Sequence, residues 1–177
     1  MDMLESKRII LPSQFSCLAS ELRLCDKKVV TTNGIFDFLH VGHIRHLEHS
    51  KSLGDVLIVA INDDATTARL KGHNRPVNSQ QDRAEALVAL RAVDFVVIFS
   101  DLTPIDILDI IRPEIHTKGG DYTAECMPEY DVVTRHGGRV EILPLYANYS
   151  NSRQFDRIRL LNDLGFQRPE WVSNSKA

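Results

Sequence analysis

Val29-Val30-Thr31-Thr32-Asn33-Gly34-Ile35-Phe36-Asp37-Phe38-Leu39-His40-Val41-Gly42-His43 is the stretch that decides the fold. An apolar run ends at Thr32, and an amphipathic run opens at the histidines. Two histidines three apart, with a glycine between, therefore fall at a strand-to-helix turn. The N-terminus of a helix offers unpaired N–H groups and a partial positive charge. Such a turn binds anions, and adding two imidazoles to it points to a polyphosphate held for chemistry.

Working outward, short β-branched runs alternate with helical patterns from residue 28 to 164. Strands are expected at Lys28–Thr32, Val56–Ile61, Phe95–Phe99, Ile115–Lys118 and Val140–Leu145. Each is apolar on both faces or nearly so, as strands covered by helices on both sides must be. The helix after the histidines should end at Leu53-Gly54, a C-terminal glycine cap. Ser79-Gln80-Gln81-Asp82 caps another helix, and Thr103-Pro104 with Asp106 opens a third. A fourth is expected from Met127 or Pro128 to His136, closed by Gly137-Gly138. A last one runs from near Ser152 to Leu164-Gly165, and a further helix around Gln14–Leu24 precedes the first strand.

This alternation is an α/β pattern, a Rossmann-like, doubly wound, five-stranded parallel sheet with right-handed crossovers. Residues 1–27 read as a helical extension, 28–164 as the domain and 165–177 as a polar tail. Ligands of such sheets bind beyond the carboxyl ends of the strands. The loops Asn33–His43, Asn62–Asn78, Gly119–Tyr122 and Tyr146–Ser152 converge there. They carry nearly all the glycine, basic and hydroxyl groups that lack an evident structural use. No Gly-x-Gly-x-x-Gly follows the first strand, since Gly34 and Gly42 stand far apart, and no Walker-type loop exists. The phosphate site is of another kind.

Composition narrows the function classes. The chain has 177 residues, 43% of them hydrophobic and 25% charged, enough for one domain with a real core. A net charge of −3 gives no electrostatic case for nucleic acid or an anionic membrane. No apolar stretch approaches the roughly 20 residues of a membrane helix, and Met1-Asp2-Met3-Leu4-Glu5 has no signal-peptide character. Cys17, Cys25 and Cys126 are odd in number and widely spaced. Free thiols in a reducing cytoplasm are expected.

The seven histidines raise a metal site as an alternative. His40, His43, His46 and His49 form a ladder at i, i+3 spacing. At about 100° per residue, nine positions turn a helix by about 900°, so His49 faces away from His40. The four do not converge on one ion, and no resident metal is expected. His46 and His49 read as surface residues, and His73, His116 and His136 have no assigned role.

His40-Val41-Gly42-His43 resembles the His-x-Gly-His signature of the cytidylyltransferase-like nucleotidyltransferases. The resemblance extends over residues 28–160. It takes in Thr32-Asn33-Gly34-Ile35-Phe36-Asp37, Leu53-Gly54-Asp55, Arg69-Leu70-Lys71-Gly72, Arg75-Pro76-Val77-Asn78, Gln81-Asp82-Arg83 and Lys118-Gly119-Gly120-Asp121-Tyr122. The Leu-Lys-Gly, Arg-Pro-Val-Asn and Lys-Gly-Gly-Asp-Tyr runs are most similar to heptose 1-phosphate adenylyltransferases. The chain is too short to include the sugar kinase fused to some of those enzymes. The resemblance implies transfer of a nucleoside monophosphate, from ATP, to a sugar 1-phosphate such as D-glycero-D-manno-heptose 1-phosphate. Pyrophosphate is released. Transfer of CMP or AMP to an alcohol phosphate such as glycerol 3-phosphate is the alternative enzyme, and a non-catalytic nucleotide-binding module the alternative of another class.

The residues suit that chemistry. A sugar phosphate oxygen is already anionic, so no general base is needed. Catalysis then consists of positioning and of neutralising charge on the equatorial and leaving oxygens. His40 and His43 would donate hydrogen bonds to those oxygens, and Gly42 lets the backbone approach them. Lys71 and Arg75, expected on a flexible loop, would neutralise the triphosphate and the incoming phosphate. By resemblance, Asn33, Gly34, Ile35 and Phe36 supply backbone contacts to the nucleotide. Gly120, Asp121 and Tyr122 lie near the base, Arg83 faces the phosphates, and Lys118 joins Arg75 at the acceptor. Asp37 orients the histidine loop without taking part in the chemistry. Mg²⁺ comes with the triphosphate and needs one or two oxygen ligands from the protein. A homodimer is implied by the family.

One departure stands out. The family usually closes its last loop with Ser/Thr-Thr-Thr, where hydroxyls and N–H groups hold the triphosphate. Here the stretch is Ser150-Asn151-Ser152, followed by Arg153. The change bears on nucleotide choice and acceptor more than on fold.

Overall fold

The computed structural model describes residues 8–144, 155 and 160. Within them the chain runs β1 (Ile9–Ile10), α1 (Phe15–Leu24), β2 (Val29–Gly34), α2 (Val41–Ser52), β3 (Val56–Asn62), α3 (Asp64–Lys71), α4 (Gln80–Val88), β4 (Phe95–Phe99), α5 (Ile105–Ile111), β5 (Ile115–Gly119), α6 (Tyr130–Thr134) and β6 (Arg139–Leu143). Short 3₁₀ turns at Pro12–Gln14 and Ala124–Cys126 precede α1 and α6. The strands form one parallel sheet in the order β1-β4-β3-β2-β5-β6. The sheet is Rossmann-like with helices on both faces.

The sheet has six strands where five are expected. The extra one is β1, whose Ile9 and Ile10 pair with Val96 and Val97 at the edge of β4. Two residues ahead of a proline carry no periodicity of their own, and only the edge of β4 makes them a strand. A second difference is α3, which occupies the first half of the expected Asn62–Asn78 loop. Asp63 caps it by accepting the Thr66 N–H at 2.7 Å, and Gly72 ends it at φ +99°. The helix before Gly137-Gly138 is also shorter than expected, reduced to Tyr130–Thr134. The last helix, the Ser150–Ser152 stretch and the expected tail lie outside the described residues, apart from helical Phe155 and Leu160.

Central β3 shows why the sheet is doubly covered. All seven of its residues are buried. Val56, Ile58 and Ala60 join the core under α1 and α5, while Leu57, Val59 and Ile61 join the core under α2 and α4. That alternation is the period of two of an extended chain. From β2 the chain proceeds to β3 and β4 on one side and later to β5 and β6 on the other. The winding therefore reverses between β2 and β5, and the loop after β2 opens at that switch point.

Candidate active site

The loop from β2 into α2 is built around its own side chains. Phe36 adopts a left-handed backbone, φ +53°, a conformation uncommon for a bulky residue and concentrated at functional sites. Its buried ring lies beneath Gly34. A Cβ at Gly34 would stand 2.9 Å from Phe36 Cε2, so any other residue there would displace the ring. The same ring meets His43 edge-on, with centroids 5.0 Å apart.

His40 is the N-cap of α2. Its Nδ1 accepts the backbone N–H of His43 at 3.2 Å. With Nδ1 accepting, the neutral ring carries its proton on Nε2 and presents it as a donor. The His40 and His43 rings stack at 3.7 Å, nearly parallel at 15°. Burial, followed by the charges of His40 and His46, pushes His43 down to about 4. Burial also lowers His40. The pair at the helix start is therefore neutral at physiological pH and offers N–H groups rather than two positive charges.

The loop after α3 is fastened to this turn by Asp37, which is only 2% exposed. The Asp37 carboxylate accepts the N–H groups of Val77 at 3.0 Å and Asn78 at 2.9 Å. It also pairs with Arg75 Nη2 at 2.6 Å. The Arg75 guanidinium in turn lies 4.3 Å from the ring centroid of Phe155, and Phe155 meets Phe38 edge-on at 5.2 Å. Arg75 is thus brought against the histidine loop. Lys71 is the exposed last residue of α3, not part of a flexible loop.

Arg83 departs from expectation. Instead of facing a phosphate, it is 1% exposed and donates to protein acceptors throughout. Its Nε bonds the Asn78 carbonyl at 3.1 Å, Nη1 the Ile35 carbonyl at 2.7 Å, and Nη2 both the Asn62 carbonyl and Asp64 Oδ1 at 2.8 Å. The guanidinium knots together the loop after β2, the end of β3 and the loop before α4. These bonds assemble the site. The Ile35 carbonyl is consumed in the same knot. Asn33, at the end of β2, buries Oδ1 with no hydrogen-bond partner among the described residues.

Across the switch point, Lys118, next to last in β5, pairs its Nζ with Glu129 at 2.8 Å, Glu129 being buried. Gly120 carries the Tyr122 ring against it, since a Cβ there would lie 2.4 Å from that ring. The Tyr122 side is 63% exposed. Asp121 is exposed as well.

The structure gathers Asn33, Gly34, Ile35, Phe36, His40, Gly42, His43 and Arg75 around one turn. Lys118, Gly120, Asp121 and Tyr122 stand at the carboxyl end of β5, the strand adjoining β2. A histidine pair capping the first helix beyond β2, in a parallel sheet at its switch point, matches a known family. The Cytidylyltransferase-like family model fits residues 31–149. The chain belongs to the cytidylyltransferase-like family.

Among curated relatives, the chain is 47% identical over 132 residues to the Bifunctional protein HldE of Syntrophotalea carbinolica, covering 75% of this chain and 27% of that protein. It is 41% identical over 155 residues to the Bifunctional protein HldE of Pseudomonas fluorescens, covering 87% and 33%. The chain thus spans a third or less of those relatives. A solved structure of the lipopolysaccharide core biosynthesis protein from Thermoplasma volcanium aligns with TM-score 0.57 and 29% identity, over 70% of this chain and 99% of that one. Pantoate-beta-alanine ligase from Francisella tularensis aligns with TM-score 0.61 over 90% of this chain and 78% of that one. At 18% identity the ligase shares the fold alone.

Two further histidines of this cytidylyltransferase-like chain differ from their surface or unassigned reading. His46 is partly buried, its Nε2 3.0 Å from Thr32 Oγ1, and burial, then His49 and Lys118, push it down to about 4. His116 is fully buried in β5, with Nδ1 2.8 Å from Thr31 Oγ1. Burial, then Lys118 and His46, push it down to about 3. The signal in the sequence is Thr31-Thr32, two hydroxyls in an otherwise apolar buried strand that must find polar partners. The described cysteines Cys17, Cys25 and Cys126 are free and exposed. Among the described residues no helix is long and apolar enough to cross a membrane.

Proposed function

We propose that this chain transfers AMP from ATP to a sugar 1-phosphate, D-glycero-D-manno-heptose 1-phosphate being the acceptor its motifs resemble most. The observation that carries the reading is the stacked, neutral His40–His43 pair at the start of α2. A neutral imidazole donates to a phosphate oxygen without taking its proton. An anionic acceptor requires that kind of help and no base. The acceptor phosphate oxygen attacks the α-phosphorus in line. A new P–O bond forms to the sugar phosphate, the bond to the β-phosphate oxygen breaks, and pyrophosphate leaves.

In this reading His40 and His43 donate to the α-phosphate oxygens as charge develops on them. Lys71 and Arg75 neutralise the triphosphate and the incoming phosphate, with Lys118 on the acceptor. Gly42 and the backbone of Asn33 to Phe36 receive the nucleotide, and Gly120, Asp121 and Tyr122 lie toward its base. Ser150, Asn151 and Ser152 would close the triphosphate site. The relatives named HldE and the lipopolysaccharide core biosynthesis protein favour a sugar acceptor over glycerol 3-phosphate.

Mg²⁺ enters with ATP and supplies charge neutralisation. Among the described residues no three of His, Cys, Asp and Glu cluster as a resident metal would require. Asp37, the buried carboxylate of the turn, is already engaged by Arg75 and two amides. The donor set fits an ion held mainly by phosphate oxygens. The free thiols support a reducing cytoplasmic setting, and a homodimer without nucleic-acid or membrane partners is part of the same proposal.

Pyrophosphate release tests the reading. The chain is offered ATP or CTP, Mg²⁺ and a panel of sugar 1-phosphates and glycerol 3-phosphate. Release with ATP and the heptose phosphate is expected. Release only with CTP and glycerol 3-phosphate, or nucleotide binding with no turnover, overturns it.

A further inference from the structure

Helix α2 carries both histidines of the signature, yet it has little apolar surface with which to dock. Of its twelve residues only Leu47 and Ser50 are buried. Polar atoms add directional contacts with the sheet. Thr32 Oγ1 donates to the Thr117 carbonyl at 3.0 Å, which commits its single proton across to β5. Its lone pairs are left to accept, so His46 Nε2, 3.0 Å away, is the donor. One turn further along, Ser50 Oγ lies 2.8 Å from Thr117 Oγ1, and Thr117 Oγ1 reaches the Thr31 carbonyl at 3.2 Å.

His46 and Ser50, one helical turn apart, therefore grip Thr32 of β2 and its register partner Thr117 of β5, on either side of the switch point. Apolar contact is non-directional and tolerates a helix that slides or rolls. Hydrogen bonds weaken steeply off axis, so two of them made from successive turns of the helix to neighbouring strands fix both rotation and translation. His43 sits three residues before His46 on the same helix, and its ring lies against the edge of Phe36 and the face of His40. The direction in which His43 points thus depends on how α2 is rolled.

We propose that His46 is a positioning residue: its hydrogen bond to Thr32 sets the roll of α2 and so aims His43 and His40 at the phosphates. Burial, then neighbouring His49 and Lys118, favour the neutral ring, whose Nε2–H makes this bond. The aim matters only if the histidines are the phosphate donors, so this inference rests on the function proposed above.

The test uses the full chain with ATP and the best acceptor. His46→Leu removes the donor, Thr32→Val removes its partner, and His46→Gln retains an N–H at about the same reach. Expected is a drop in kcat of about 10-fold or more for His46→Leu and Thr32→Val, because small misplacements of catalytic groups are costly. KM for ATP should stay within about three-fold, as an interaction made in the transition state is lost rather than uniform binding. His46→Gln should recover most of the rate, and the double variant should be no slower than either single one.

A kcat unchanged in folded His46→Leu, with only the melting temperature lowered, overturns the inference. Should His46→Leu fail to fold, the contrast between His46→Gln and Thr32→Val decides in the same way. If the wild-type chain turns over no acceptor, the functional reading fails by itself. The Hε1 proton resonances of His40 and His43, followed during titration with Mg-ATP, then decide. Positioning predicts that Thr32→Val shifts both resonances and their response to ATP while His46→Gln leaves them near wild type. Resonances unmoved by Thr32→Val overturn it.

Discussion

Helices α2 and α4 lie against the same face of the sheet and share one apolar core, but they are held there by opposite means. Helix α4 brings fully buried Ala84 and Leu87 into that core, and its one buried cation, Arg83, donates four hydrogen bonds to protein acceptors. Helix α2 contributes Leu47 alone and otherwise rests on His46, Ser50 and strand hydroxyls. One helix is a structural wedge that gathers loops, and the other is an aimed platform. Burial holds an element in place, whereas directional bonds orient it. The helix whose end faces the switch point is the one oriented by bonds.

The largest expected effect breaks the wedge. Arg83→Met fills the volume but leaves the carbonyls of Ile35, Asn62 and Asn78 without their donor. The cost should be about 3–5 kcal/mol, the range for removing one member of a buried, charged network. Urea unfolding measures it, and a loss under about 1 kcal/mol would refute the knot as a structural centre. Breaking the platform's chemistry should cost less in free energy and appear in rate alone. His43→Ala is expected to lower kcat about 10²-fold, as for loss of one oxyanion donor, with the melting temperature nearly unchanged. Equal effects of the two substitutions on stability would erase the distinction between the helices.

The same contrast explains what could be read from the sequence. The Ser79 cap and the run Phe95–Phe99 are local features, and both fall where expected. Strand β1 was not legible, because Ile9 and Ile10 become a strand only by meeting the edge of β4. Helix α3 hides behind Thr66 and Thr67, β-branched residues of weak helix propensity, although Asp63 three and four residues earlier marks its start. The His40-Val41-Gly42-His43 turn was legible as a site because helix-end chemistry is local. Arg83 was not. A cation in the first turn of a helix reads as facing outward, and only the convergence of three separate loops upon it shows otherwise. His46 fails for a related reason: spacing assigns it a face of α2, but not the threonines that face would meet.

Acid should sharpen the comparison, because α2 and β5 contain histidines buried in the neutral state and α4 contains none. His43 and His46 titrate near 4 and His116 near 3 in the folded chain, against about 6.5 when unfolded. Between those values the unfolded chain binds more protons, so stability falls as pH drops below about 6.5. Each histidine contributes a slope of about 1.4 kcal/mol per pH unit until its folded value is reached. Urea midpoints at pH 7.5, 6.0 and 5.0 should fall in that order, and His46→Gln should flatten the curve by its share. A flat profile would mean that these rings are not held neutral.

The smallest effect isolates the second grip of the platform. In Ser50→Ala, Thr117 keeps the Thr31 carbonyl as a partner, and the removed hydroxyl leaves little uncompensated. The net worth of such a bond is about 1 kcal/mol, measurable as a shifted urea midpoint at constant slope. Because His46 still fixes the roll of α2, kcat should fall less than in Thr32→Val. A Ser50→Ala rate as low as that of Thr32→Val would place the orienting bond at β5 rather than β2, and would move the pivot of the platform one turn away from the histidines.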